Sequence, residues 1–227
     1  YNQPPPGAGA ADGFGRTANL LPTGLLGADW TPQPDAGARA GFRLEKLVDS
    51  PAEADGHGPL HDKAGAGDVL VSVNGRPVDA TRSVHEHLVG TAGQTVELGF
   101  LRASGDEPET VFVEPLASDT ELRYRDWVAS KRAAVHAATG GEIGYLHVPS
   151  TGIDGQNELY RQFLAERHRK ALIIDERWNS GGQIPTRFIE LLSRRPTNGW
   201  AVRHGKAFEW PQVHHDGPKV MIINHSA

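Results

Sequence analysis

The chain has 227 residues, a formal net charge of −5 and no cysteine. The length allows two modest domains, and the acidic balance leaves no basic stripe to displace counterions from a nucleic acid. The missing cysteines exclude disulfides, cysteine-ligated zinc and a thiol nucleophile. No run reaches the roughly 18 apolar residues of a membrane span. Neither nucleic acid nor membrane is an expected partner, and no metal or cofactor is expected.

Residues 1–19 are rich in Gly, Ala and Pro and read as a linker. Residues 20–118 read as a small, mostly β domain with strands at Leu25–Trp30, Phe42–Val48, Asp68–Val73, Thr95–Arg102 and Thr110–Glu114. Asn74-Gly75, between apolar runs, is a tight-turn signal. Thr81–Val89 reads as a short helix, with Asp79 as its N-cap. His85 and His87 lie two apart on that helix and do not face each other, so no shared metal is expected; His85 is solvated or faces a groove.

Thr120–Ala138 reads as a helix closed by Gly140-Gly141. Strands and helices then alternate: Glu142–Val148, Ile153–Arg167, Ala171–Ile174, Pro185–Ser193 and Lys219–Ile223. The last is taken as a core strand, and the alternation predicts an α/β core. His214-His215 is expected in an exposed loop, and His147 to pack or hydrogen-bond locally. A start at Tyr1 and an end just past a strand lead us to expect a piece of a longer polypeptide.

The apolar run Ala171–Ile174 stops at Asp175-Glu-Arg-Trp-Asn-Ser-Gly-Gly182 before the next helix. A strand that ends in a glycine-rich turn gathers free backbone N–H groups at one spot, and glycine lets another group approach closely. Such a turn can cradle a phosphate, stabilise the oxyanion of acyl transfer, or simply connect a strand to a helix. Asp175 and Arg177 are expected to form an internal ion pair, and Trp127 and Trp178 to anchor packing.

Two sets of residues carry a family resemblance. Gly67-Asp68-Val69-Leu70-Val71-Ser72-Val73-Asn74-Gly75 resembles the core of protease-associated PDZ domains. In that light Gly24-Leu-Leu-Gly27 is loosely similar to their carboxylate-binding loop. Arg123-Tyr-Arg-Asp-Trp-Val128, Gly144-Tyr-Leu-His-Val-Pro149 and Asp175–Gly182, in this order, resemble tricorn-like serine peptidases.

The resemblance implies an α+β chain: a PDZ domain over residues 20–118, then the N-terminal part of an α/β crotonase-like catalytic domain over 119–227. It also implies a cytoplasmic endopeptidase that cleaves peptides or unfolded polypeptides through an acyl-enzyme, within a large homo-oligomer, a hexamer in the family. Matched by position, Gly182 offers its N–H to the oxyanion, with Gly181 the alternative if the register slips. The nucleophilic serine is expected just after Ala227 and the histidine base before Tyr1, so the chain alone is expected to be inactive. Ser226 is a lesser candidate, two residues short of the matching serine. Thr197–Val202 carries no carboxylate where the family sets its preference for basic residues, so no strict basic preference is expected. Two other readings stay open: a Ser/Lys C-terminal processing peptidase and a non-catalytic PDZ scaffold.

Overall fold

The structure, a computed structural model, describes residues 21–48 and 57–225. The expected linker 1–19 and Ser226 lie outside them. The chain forms two compact units that divide inside helix α1 (Thr120–Thr139), between Asp126 and Trp127.

The first unit is an antiparallel sheet of β1 (Ala28–Gln33), β2 (Gly41–Leu47), β3 (Val69–Val73), β4 (Arg76–Pro77), β5 (Val96–Leu101) and β6 (Pro108–Val113). The strand order is β1-β2-β3-β5-β6, with β4 paired to β3. Alternation places Phe42, Leu44, Leu70, Leu98 and Phe100 on one buried face, joined by Leu60 and Leu88. Asn74 and Gly75 both take positive φ, +49° and +71°. That pair of left-handed residues matches the right-handed twist of the flanking strands β3 and β4. The Gly-Asp signature also has a physical role. Asp68 accepts from Gly65 N and Arg102 Nη1, both at 2.9 Å, and from Ala103 N at 3.0 Å, tying three segments together.

The short helix differs from its expected form. It is a 3-10 helix over Val84–Leu88, capped by Ser83, whose Oγ accepts from His85 N while Glu86 accepts from Ser83 N. Asp79 is not its cap: it accepts from the N–H and hydroxyl of Thr81 in a local turn, and the helix begins only at Val84. His87 Nε2 lies 3.3 Å from Asp79 O, and no metal-binding cluster is present among the described residues.

The second unit has a parallel sheet of β7 (Ile143–His147), β8 (Ala171–Asp175) and β11 (Lys219–Ile222), in the order β11-β8-β7. Helices α2 (Ile153–Glu166) and α3 (Pro185–Leu192) follow β7 and β8. Leu146, Val148, Leu159, Phe163, Leu172, Ile174, Phe188 and Leu191 form its core. A hairpin of β9 (Asn198–Trp200) and β10 (Phe208–Trp210) interrupts the alternation, with Trp200 and Phe208 stacked across it at 6.3 Å.

Among the described residues β11 lies at one side of the sheet, with Val220, Met221 and Ile223 exposed. One expectation fails in this unit. His215 is buried, not exposed. Arg167 and Arg194 donate to the carbonyls of Gln212 and Val213 and hold this loop against the unit, and His215 Nδ1 accepts from Gly217 N at 2.9 Å.

Candidate functional site

The turn after β8 is built on a buried polar cluster. Asp175, fully buried, receives the hydroxyl of Tyr145 at 2.8 Å and Arg177 Nη2 at 2.6 Å. Burial pushes the Asp175 carboxyl up, but the hydrogen bonds from Arg177 and Tyr145 outweigh it and hold it below the usual carboxylate range. Burial, reinforced by the Asp175 charge, raises the Tyr145 phenol. The expected ion pair is therefore present, with a tyrosine as its third member.

His147 is also fully buried. Its Nε2–H donates to Arg177 O at 3.2 Å, and burial lowers its pKa, so the ring is neutral near pH 7. Trp127 meets it edge-on at 5.0 Å and meets Trp178 at 6.5 Å, as packing anchors do. Gln162 on α2 accepts from His147 N at 3.0 Å and donates to His147 O at 2.9 Å, on the outer side of β7.

From this base the chain enters a constrained path. Trp178 has φ +62°, a strained value for a bulky residue, and its N–H donates to Asn224 Oδ1 at 3.2 Å. Glu176 N donates to Ile222 O at 2.8 Å. Both bonds tie the turn to the end of β11. A second set ties it to the loop after β7: Ser180 N to Pro149 O, Thr151 N to Gly181 O and Ile184 N to Thr151 O.

Gly182 cannot be anything larger. Its φ is +153°, and a Cβ there would lie 2.2 Å from the carbonyl carbon of Thr151. Its N–H belongs to the same planar peptide as Gly181 C=O, which accepts from Thr151 N at 2.8 Å. In a trans peptide the N–H points opposite to the C=O, so this N–H points away from Thr151. Gly182 is exposed, and its N–H donates to no acceptor among the described residues. Gly181 differs: its N–H donates to Asn179 Oδ1 at 2.7 Å. An apolar groove of about 370 Å³ opens beside the turn between Thr151, Glu176, Phe188, Ile189, Leu192 and Met221. Burial raises the Glu176 carboxyl.

The first unit carries its own groove, where β1 meets the 3-10 helix, lined in part by Ala28, Trp30, Phe42, Val84 and the exposed His85. Two amides of the Gly24–Gly27 loop are already engaged within the unit. Gly24 N donates to Leu88 O and Leu25 N to Leu116 O, both at 2.8 Å. Arg123 also donates to Ala28 O on β1 at 3.3 Å, while its other arm pairs with Asp29.

A strand-rich PDZ-like unit followed by a parallel α/β unit with a glycine turn at a strand end defines a mixed α+β chain. Residues 24–118 match the family described as the tricorn protease PDZ domain. Tricorn protease homolog 1 of Streptomyces coelicolor is 37% identical over 88% of the chain, and tricorn protease of Thermoplasma volcanium 35% identical over 72%. A crystal structure of tricorn protease superposes with a TM-score of 0.80 at 26% identity, covering 90% of the chain. The chain is tricorn-like. It spans 19% and 16% of the length of those two relatives and 20% of the crystallised chain.

Proposed function

We propose that this chain is part of a serine peptidase and that the turn after β8 supplies one donor of its oxyanion hole. The observation that carries the reading is the N–H of the exposed Gly182: without an internal acceptor among the described residues, and set in a turn hydrogen-bonded to the end of β11. The strained Trp178 supports it, since backbone strain persists where the surroundings over-determine it and clusters at functional turns.

In this reading residues 20–118 are a PDZ domain and 119–227 the first part of the catalytic core. The nucleophilic serine follows β11, beyond Ala227, and a histidine that precedes Tyr1 takes its proton. The serine oxygen attacks the peptide carbonyl, and the resulting oxyanion accepts from Gly182 N–H and from a second amide beside the serine. The amine leaves with a proton, and water then hydrolyses the acyl-enzyme. Residues 1–227 alone lack the nucleophile and are inactive. The substrates are peptides or unfolded polypeptides, cleaved in the cytoplasm by a homo-oligomer.

The test uses the longer protein that carries this chain. Gly182→Ala drives a Cβ into Thr151 and displaces the amide, and a misplaced donor lowers turnover by about 10²–10³. Gly181→Ala meets no atom within 4 Å but must hold a φ of +79°, so it costs activity through backbone strain alone and less than Gly182→Ala. A folded Gly182→Ala enzyme with full turnover rules the reading out. For specificity, reporters ending in Arg, Phe and Leu are compared; a strong preference for Arg contradicts the expectation drawn from Thr197–Val202.

A further inference from the structure

We infer that Asn179 is a positioning residue that decides which of two neighbouring glycine amides remains free for the oxyanion; the inference rests on the hydrolytic reading above. Gly181 and Gly182 give the turn two consecutive N–H groups on a backbone with no side chain to brace it. Asn179 Oδ1 takes the first of them, 2.7 Å from Gly181 N. The bond spans only two residues, the local arrangement in which an asparagine fixes its own backbone. Asn179 is itself held: it is 9% exposed and its N–H donates to Glu176 O at 3.1 Å.

Two successive peptide planes are thereby fixed from different sides. The Ser180–Gly181 plane is set by Asn179 through the Gly181 N–H. The Gly181–Gly182 plane is set by Thr151 N–H through the Gly181 carbonyl. Without the asparagine oxygen the first plane is free to turn about glycine torsions, and the second loses the support of its neighbour. The Gly182 N–H then no longer has one direction.

The choice of residue follows the same logic. Asn179 Nδ2 is buried and has no acceptor among the described residues, an unfavourable arrangement for a group kept only for packing. What the side chain contributes is its oxygen. An aspartate would supply the same acceptor but would add a negative charge to a turn that must receive an oxyanion. Asparagine gives the acceptor without the charge.

The test compares the wild-type longer protein with Asn179→Leu and Asn179→Asp, after circular dichroism and melting curves establish folding. Asn179→Leu lowers kcat about 100-fold, the scale of losing an oxyanion donor, and leaves KM within about 2-fold. Asn179→Asp keeps the acceptor and recovers at least about 5-fold of that loss. Hydrogen exchange supplies a readout independent of turnover. The Gly181 amide is protected in wild type and in the Asp variant and exchanges fast in the Leu variant, whereas Gly182 exchanges fast in all three. A folded Leu variant with wild-type kcat overturns the inference, as does an Asp variant no better than Leu. So does a wild-type Gly181 amide that exchanges as fast as Gly182, which decides the matter even if Asn179→Leu does not fold. Wild-type protein that neither cleaves peptides nor reacts with a serine-directed fluorophosphonate ends the hydrolytic reading instead, and the exchange rates still judge the hold of Asn179.

Discussion

The two units bury different things. The first is held by an apolar face in which Phe42, Leu44, Leu70, Leu98 and Phe100 are almost fully enclosed, and Asp68 is its one buried polar side chain among the described residues. The second encloses His147, Gln162, Glu166, Asp175, Asn179 and His215. Apolar burial is non-directional and stabilises whatever brings it about. Buried polar groups demand particular partners, so they select one geometry at the risk of large losses when a partner is removed. The first unit is thus built for stability and the second for holding a turn.

The contrast breaks most visibly at Asp175. Asp175→Ala leaves the Arg177 guanidinium half-sequestered without its carboxylate and destabilises the second unit by about 3–5 kcal/mol; thermal unfolding measures this. The pH dependence has a definite sign. The folded pKa of Asp175 lies below its unfolded value, so its contribution is present above about pH 4 and is lost as pH falls further. A variant that unfolds like wild type removes the polar cluster from the account of stability.

Asp68→Ala is the matching experiment in the first unit and costs less, about 2 kcal/mol, because the apolar face remains and Arg102 keeps Glu109. A larger loss than at Asp175 reverses the comparison. His147 sharpens it by titration. Burial depresses its pKa in the fold, so its contribution is complete above about pH 6.5 and declines as pH falls through that value. His147→Phe flattens the stability profile of the second unit below about pH 6.5, read by melting at each pH. Glu176→Gln has the smallest effect. Burial raises that carboxyl, so its ionised form opposes folding once pH exceeds the folded pKa; the amide removes this and stabilises by no more than about 0.5 kcal/mol at pH 7.

The sequence made the glycine turn legible because left-handed torsions and close approach leave few alternatives to Gly181 and Gly182. It left open which of the two keeps a free N–H, since that depends on where the Asn179 oxygen points. Strands β2, β3 and β5 to β8 were readable from apolar runs and alternation, whereas β1 runs over Ala28–Gln33 rather than the expected Leu25–Trp30. The β9–β10 hairpin was not, because its strands are three residues long and rest on one aromatic pair across the ladder. His215 sits among polar loop residues, and its burial depends on a loop held by Arg167, just after α2, and Arg194, after α3, which sequence does not reveal. Asp79 looked like the cap in sequence; the structure starts the helix later, at Val84, and caps it with Ser83.

The Gln162 amide has one more effect. Among the described residues no strand pairs with the outer side of β7, and an unpaired rim of that kind is a template for a β segment. By answering both the N–H and the C=O of His147, one side chain from the neighbouring helix fills the rung that such a segment would need first. The same contact that steadies the floor of the turn therefore also leaves His147 no backbone group for a β segment to pair with.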